Sequence, residues 1–127
     1  MSADRPGSDG RIFLSPPFLN GREIECVKEA FASNYIAPLG PQVDAFEKAL
    51  AEVTGRRFAV AVSSGTAAMH LALQTLGLKK GDLVLASTLT FIGSVTPVAF
   101  LGGVPFFIDS DAKTWNMDVD LLEEAIE

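Results

Sequence analysis

The chain has 127 residues, 48% apolar and 20% charged, a balance typical of a globular domain rather than a disordered or fibrous chain. Its formal charge of -6, without any Lys/Arg run longer than two residues, argues against nucleic-acid binding. With one Cys and one His, neither a disulfide framework nor a tetrahedral zinc site can form, so a metal-free protein of the reducing cytoplasm is expected.

The amino-terminal part is predicted to contain a leader and two helices. Residues 1–10 resemble neither a signal peptide nor a membrane span, and no apolar run approaches the roughly 20 residues that cross a bilayer. We expect a flexible leader there and one domain over residues 11–127, opening with an extended segment at 11–17. A first amphipathic helix is predicted to start at Asn20–Glu23, with Asn20 as N-cap, and to end at Ser33–Asn34. A second begins near Pro41 and ends at Gly55.

Beyond these helices the pattern changes to short apolar runs alternating with helical stretches. The runs predicted to be buried strands are Phe58–Val62, Leu83–Ala86 and Val104–Ile108. The predicted helices are Thr66–Leu76, Phe91–Leu101 with Ser94 as N-cap and Pro97 in the first turn, and a helix capped by Asp118. This alternation predicts an α/β fold with a parallel sheet flanked by helices.

The turn from strand to helix at residues 62–68 is the most informative candidate site. Free N–H groups at the helix start, the helix dipole and the Ser and Thr hydroxyls could together hold a phosphate or carboxylate. An ordinary N-cap in a tight turn explains the same residues equally well. The glycine signatures of dinucleotide and P-loop sites and the nucleophile elbow do not occur in the sequence. His70 is predicted to be a packed helical residue in preference to a general base.

Further candidates follow the next two strands, because ligands of α/β proteins bind at the carboxyl edge of the sheet. Phe91 could stack on a flat heterocycle, although a core position is the commoner role of a Phe. Asp109 and Asp111 are predicted to stabilise a turn or to cap a helix. The apolar loop 34–41 contains the only Tyr, Tyr35, and packs either on its own domain or at a subunit interface beside a ligand.

Several motifs occur in an order that resembles the DegT/DnrJ/EryC1/StrS aminotransferases. They are Leu14–Pro17, Ser33–Pro41 followed by Phe46–Glu47, Ser63–Leu73, Thr90–Phe91, Phe107–Asp109 and Thr114–Asp118. The resemblance covers the chain from about Arg11 onward, and it implies the amino-terminal part of the large domain of a fold type I enzyme. It also implies pyridoxal 5'-phosphate as cofactor, a homodimer, and transfer of an amino group from glutamate to a keto sugar nucleotide. The branch it looks most like aminates a UDP-linked 4-keto-6-deoxy amino sugar, for surface polysaccharide or glycan biosynthesis.

The resemblance implies roles for seven residues. Gly65 and Thr66 would hold the cofactor phosphate and Phe91 would stack on the pyridine ring. The nucleotide sugar would contact Asn34, Tyr35, Ile36 and Ala37. At Phe18–Asn20 the chain departs from the His-Met-Gly frequent in this branch, and a contact made by that His would be missing.

No catalytic residue is assigned within the 127 residues. In the family that the chain resembles, an aspartate pairs with the pyridine nitrogen and a lysine bonds covalently to the cofactor, and both come after the position of Glu127. None of the chain's lysines matches that motif: Lys28, Lys48, Lys79, Lys80 and Lys113. We therefore expect these residues alone not to catalyse transamination. Three alternatives stay open: a truncated fragment, a phosphate-binding module, and a pyridoxal-phosphate-dependent sugar dehydratase in which a His replaces the lysine.

Overall fold

The structure, a computed structural model, describes residues 17–127. The leader predicted at 1–10 and most of the extended segment at 11–17 lie outside the described residues. Contacts divide the chain into two compact units, the first ending at Ala61 and the second beginning at Val62. Over residues 17–127, no helix combines the length and the apolar character that a membrane crossing requires.

The first unit contains helices α1, Glu23–Ser33, and α2, Pro41–Thr54. Both predicted carboxyl ends are confirmed, because Asn34 and Gly55 adopt left-handed conformations, with φ of 59° and 65°, that terminate the helical hydrogen bonding. Pro41 lies in the first turn of α2, as predicted, where its missing N–H breaks no helical hydrogen bond.

The predicted N-cap of α1 is wrong, because the cap is Arg22 and not Asn20. Gly21 has a φ of +96°, so the backbone cannot enter a right-handed helix at that residue. Asn20 and Glu23 instead close a turn before the helix. The Glu23 carboxylate accepts from the N–H groups of Asn20 and Gly21 at 2.9 Å, and these backbone donors lower its pKa.

The second unit is an α/β arrangement. Its elements are α3, Gly65–Thr75; β1, Leu83–Ser87; α4, Thr96–Phe100; β2, Val104–Ile108; and α5, Val119–Ile126. Strands β1 and β2 pair in parallel, with Leu83 opposite Val104 and Ser87 opposite Ile108. Helices α4 and α5 contact β2, and α3 contacts α4. The predicted parallel sheet with flanking helices is thus confirmed, as is Asp118 as the N-cap of α5.

The core of the second unit lies between α4 and the sheet. Val95, Val98 and Ile108 are buried, and Pro97 is fully buried. Pro97 lies in the first turn of α4, as predicted. Burial of these residues stabilises the packing of α4 on β2, since each buried aliphatic side chain contributes about 1.5–3 kcal/mol.

The first predicted strand, Phe58–Val62, is wrong, because β1 and β2 are the strands among the described residues. The side chains of Phe58 and Val60 are 73% and 67% exposed. The N–H of Ala61 donates to Oε1 of Glu47 at 2.7 Å instead of to a neighbouring strand. An apolar run is compatible with a strand, but a strand forms only where a second backbone supplies its hydrogen bonds.

The helix predicted over Phe91–Leu101 is interrupted. A 3-10 turn covers Ile92–Ser94, and α4 then starts at Thr96 with Val95 as N-cap. Ser94 is therefore not the cap, and its N–H donates to the carbonyl of Phe91 at 2.9 Å. Because Pro97 has no N–H and fits only in a first turn, the α-helix begins next to it rather than at Phe91.

Candidate functional site

The amino terminus of α3 leaves backbone donors free. Ser64 is extended, and its hydroxyl oxygen accepts from the N–H of Ala67 at 3.1 Å. Ala68 donates to the carbonyl of Ser64. Within residues 17–127, the N–H groups of Gly65 and Thr66 have no acceptor. Two free N–H groups at the positive end of an 11-residue helix can bind an anion.

A cavity of about 450 Å³ opens at this helix terminus. It is lined by Ser64, Gly65, Thr66, Met69, Phe91, Gly93 and Ser94. The structure thus brings Gly65, Thr66 and Phe91 together at one site. Small-molecule sites commonly occupy about 300–1,000 Å³, so the size suits a cofactor. The core role considered for Phe91 is wrong, because its side chain is 80% exposed.

Gly93 is a residue of this site that sequence reasoning missed. A Cβ atom at Gly93 would lie 2.6 Å from the hydroxyl oxygen of Thr66 and 3.2 Å from the Phe91 ring. The missing side chain therefore leaves open a space between the hydroxyl and the ring. The available signal was a glycine between Phe91 and the predicted cap Ser94, since a glycine often marks a close approach of the backbone to a neighbouring group.

Two hydrogen bonds join the carboxyl ends of β1 and β2. The N–H of Thr88 donates to the carbonyl of Ile108 at 3.0 Å, and the Thr88 hydroxyl donates to Oδ1 of Asp109, also at 3.0 Å. The N–H of Ser110 and the Thr88 hydroxyl lower the pKa of the Asp109 carboxyl. Sequence reasoning placed Asp109 at this edge but did not foresee its contact with Thr88.

Asp111 has the turn role that the sequence predicted. Its Oδ1 accepts from the hydroxyl and N–H of Thr114, both at 2.7 Å, and from the N–H of Lys113. The Thr114 hydroxyl and N–H lower the pKa of this carboxyl. His70 is half-buried, and its ring centre lies 6.2 Å from that of Phe100, as expected of a packed helical residue.

The loop 34–41 lines part of a second cavity, in the first unit, together with residues of α1 and α2. Tyr35 and Ala37 line this cavity of about 630 Å³, whereas Asn34 and Ile36 do not. Gly40 has a φ of +149°, and a Cβ atom there would lie 3.1 Å from the Tyr35 ring. Of the four consecutive residues predicted to contact a nucleotide sugar, only two line this cavity.

The parallel sheet with flanking helices places the second unit in the α/β class, and helix amino termini such as that of α3 can bind anions. The model of the DegT/DnrJ/EryC1/StrS aminotransferase family matches residues 17–127. The chain belongs to this family, and its fold is the amino-terminal part of a fold type I aminotransferase.

Two curated relatives show the extent of the similarity. The chain is 51% identical over 117 residues to EpsN of Bacillus subtilis (strain 168), named as a pyridoxal phosphate-dependent aminotransferase. It is 43% identical over 110 residues to GDP-perosamine synthase of Escherichia coli O157:H7. These matches cover 92% and 87% of the chain but 30% of each relative, so the chain spans less than a third of their length.

Two solved structures share the fold. Spr1654 of Streptococcus pneumoniae, named as a sugar aminotransferase and solved in its PLP form, matches 90% of the chain with 32% identity and a TM-score of 0.75. The GDP-4-keto-6-deoxy-D-mannose-3-dehydratase of E. coli, with bound hydrated PLP, matches 90% with 28% identity and a TM-score of 0.78. The chain covers 29% and 31% of these two proteins.

Proposed function

We propose that these residues form part of the cofactor site of a pyridoxal-phosphate-dependent sugar aminotransferase. The observation that carries the proposal is the single cavity lined by Gly65, Thr66 and Phe91 at the start of α3. Free N–H donors, a hydroxyl and an exposed aromatic ring face one space there, and these groups suit the phosphate and the flat ring of this cofactor.

The proposed roles follow from the chemistry of each group. The N–H groups of Gly65 and Thr66, together with the Thr66 hydroxyl, would hold the phosphate, and the Phe91 ring would cover one face of the pyridine. Gly93 would leave the room that the ligand needs between them. When bound, the cofactor supplies an electron sink for amino transfer. The covalent lysine would come from a part of the protein beyond these 127 residues.

The proposed substrates are glutamate, as amino donor, and a keto sugar nucleotide. The names of GDP-perosamine synthase and of the GDP-sugar dehydratase support the nucleotide-sugar class. Within this class we propose a UDP-linked 4-keto-6-deoxy amino sugar, contacted by Asn34, Tyr35, Ile36 and Ala37. We also propose a cytoplasmic homodimer that serves polysaccharide or glycan biosynthesis.

The first experiment measures the intact mass of the native protein from its source cells. A mass several-fold above 13.5 kDa supports a complete enzyme, and borohydride reduction should then attach the cofactor to one lysine. The purified protein should show the visible absorption of bound pyridoxal phosphate. With glutamate it should aminate the UDP-linked keto sugar in preference to the GDP-linked one. Preference for the GDP-linked sugar would refute the UDP assignment while leaving the aminotransferase intact.

A sugar dehydratase is the second candidate, because the E. coli dehydratase has the same fold over this region at a TM-score of 0.78. The two reactions differ in product: an aminotransferase leaves an amino group on the sugar, whereas a dehydratase removes a hydroxyl. Mass spectrometry of the product separates them. If the native protein has a mass of 13.5 kDa and its melting temperature does not change when pyridoxal phosphate is added, the fragment or the binding module is favoured instead.

A further inference from the structure

The segment between β1 and the 3-10 turn carries Phe91 to the cavity, yet its own side chains provide little packing. Leu89 is 56% exposed and Phe91 is 80% exposed. The N–H of Thr90 donates to the carbonyl of Thr88 at 3.2 Å, so the segment is bent back on its own start. Its position therefore depends on how firmly Thr88 is held.

Thr88 is held by the strand end opposite it. Its N–H extends the β1–β2 pairing by one bond to Ile108, and its hydroxyl donates to Oδ1 of Asp109, 21 residues away in the chain. The second bond ties a side chain to a side chain across the two strand ends.

Asp109 is itself fixed on both sides. The same Oδ1 accepts from the N–H of Ser110 at 2.8 Å, and the carbonyl of Asp109 accepts from the N–H of Asp118 at 2.9 Å. The Ser110 N–H and the Thr88 hydroxyl lower the pKa of the Asp109 carboxyl, so it is ionised at neutral pH and is a strong acceptor for the Thr88 hydroxyl.

We infer that Asp109 is a positioning residue of the cofactor site, which through Thr88 holds the segment 88–91 and thereby sets the place of the Phe91 ring. The inference rests on the proposed function for its ligand, but the geometry that carries it is the Thr88–Asp109 contact. Downstream of Phe91, the N–H of Ser94 donates to the Phe91 carbonyl at 2.9 Å and closes the 3-10 turn that contains Gly93.

The test compares four variants of the native protein: Asp109→Ala, Asp109→Asn, Thr88→Val and Asp111→Ala. Asn keeps an acceptor oxygen at residue 109, and Val keeps the shape of Thr88 without its hydroxyl. Asp111→Ala is the matched control, because it removes an aspartate with a similar turn role that makes no bond to Thr88. Each variant is titrated with pyridoxal phosphate, and the circular dichroism of the bound cofactor and the melting temperature are recorded.

Asp109→Ala and Thr88→Val should weaken pyridoxal phosphate binding by about threefold to tenfold, the range that the loss of one net hydrogen bond produces. They should also reduce the circular dichroism of the cofactor. Asp109→Asn should restore both, and Asp111→Ala should change only the melting temperature. If Asp109→Ala fails to fold, Thr88→Val alone carries the comparison.

Hydrogen exchange of residues 88–94 in the cofactor-free protein separates this inference from the proposed function. Faster exchange there in Thr88→Val, with wild-type exchange in Asp111→Ala, supports the positioning role whatever the ligand. Unchanged exchange, or equal cofactor affinity in Asp109→Ala and Asp111→Ala, overturns the inference alone. A wild-type protein that binds no pyridoxal phosphate overturns the proposed function, and with it the cofactor role of Asp109.

Discussion

Ser64 offers a way to separate folding from anion binding at the start of α3. Its oxygen caps the helix by accepting from Ala67, and its side chain also lines the cavity. We compare Ser64→Ala, Ser64→Asn and Ser64→Asp in the native protein. Asn and Asp are as good as Ser at the N-cap, whereas Ala costs about 1 kcal/mol of stability.

The expected effect on the ligand follows a different order. In Ser64→Asp the carboxylate lies at the cavity and repels a bound phosphate. At about 5 Å and an effective dielectric of about 20, this repulsion reaches roughly 3 kcal/mol per pair of unit charges. Even half of it corresponds to a loss of affinity of about tenfold. Ser64→Asn adds no charge, and its loss of affinity should be small.

The assay pairs urea unfolding with titration of the cofactor-free protein by pyridoxal phosphate. Asp118→Ala is the control, since Asp118 caps α5 by accepting from Asp120 and Leu121 and does not line the cavity. It should lower stability and leave cofactor affinity unchanged. If Ser64→Asp keeps both the stability and the cofactor affinity of the wild type, no anion binds at this helix terminus and the reasoning is refuted.

Three further predictions concern single side chains. Val98→Ala should lower the free energy of unfolding by about 2–3 kcal/mol, because Val98 is 2% exposed and two methyl groups leave the core. Val119→Ala, at a 71% exposed position, should change the free energy of unfolding by less than about 0.5 kcal/mol. Both variants are measured by urea unfolding, and equal losses of stability in Val98→Ala and Val119→Ala would contradict the assigned core. Phe91→Ala should weaken cofactor binding by roughly threefold to tenfold in the same titration and barely change stability, whereas Phe91→Tyr keeps the ring; equal affinities in both variants would exclude stacking. For Asp111, the pKa of the folded state is lowered from 3.8, so its stabilising contribution is present above that pH and is lost as the pH falls through the lower folded value. Urea midpoints of wild type and Asp111→Asn should therefore differ most near neutral pH and converge in acid, and a constant difference would refute the assignment.

Much of the local structure could be predicted from neighbouring residues alone. The left-handed carboxyl ends at Asn34 and Gly55, Pro41 in a first turn and the Asp118 cap all depend on residues a few positions apart. The apolar runs of β1 and β2 were predicted as parallel strands for a similar reason, because helical stretches alternate with them. The ordered motifs also indicated the family to which the chain belongs.

The candidate site was predicted only in part. The sequence placed Gly65 and Thr66 at a helix start and Phe91 after a strand, but their common cavity depends on where Gly93 brings the backbone. The close approach of Gly93 to the Thr66 hydroxyl could not be predicted from neighbouring residues, because the two lie 27 positions apart in the chain. The Thr88–Asp109 bond likewise joins residues 21 positions apart, so it forms only after β1 and β2 have paired.

What the sequence by itself determined is therefore the carboxyl ends at Asn34 and Gly55, the place of Pro41 in a first turn and the Asp118 cap, since each depends on groups within a few residues. The caps predicted at Asn20 and Ser94 were wrong, because Gly21 and Pro97 fix where those helices can begin. The tertiary structure alone decided which apolar runs became strands. Phe58–Val62 has the composition of a strand, but its Ala61 N–H bonds to the Glu47 side chain, because hydrogen bonds between strands need a second backbone at the right distance. The same requirement for groups brought from elsewhere in the chain explains why Gly93 and Asp109 acquired their contacts only in the folded protein.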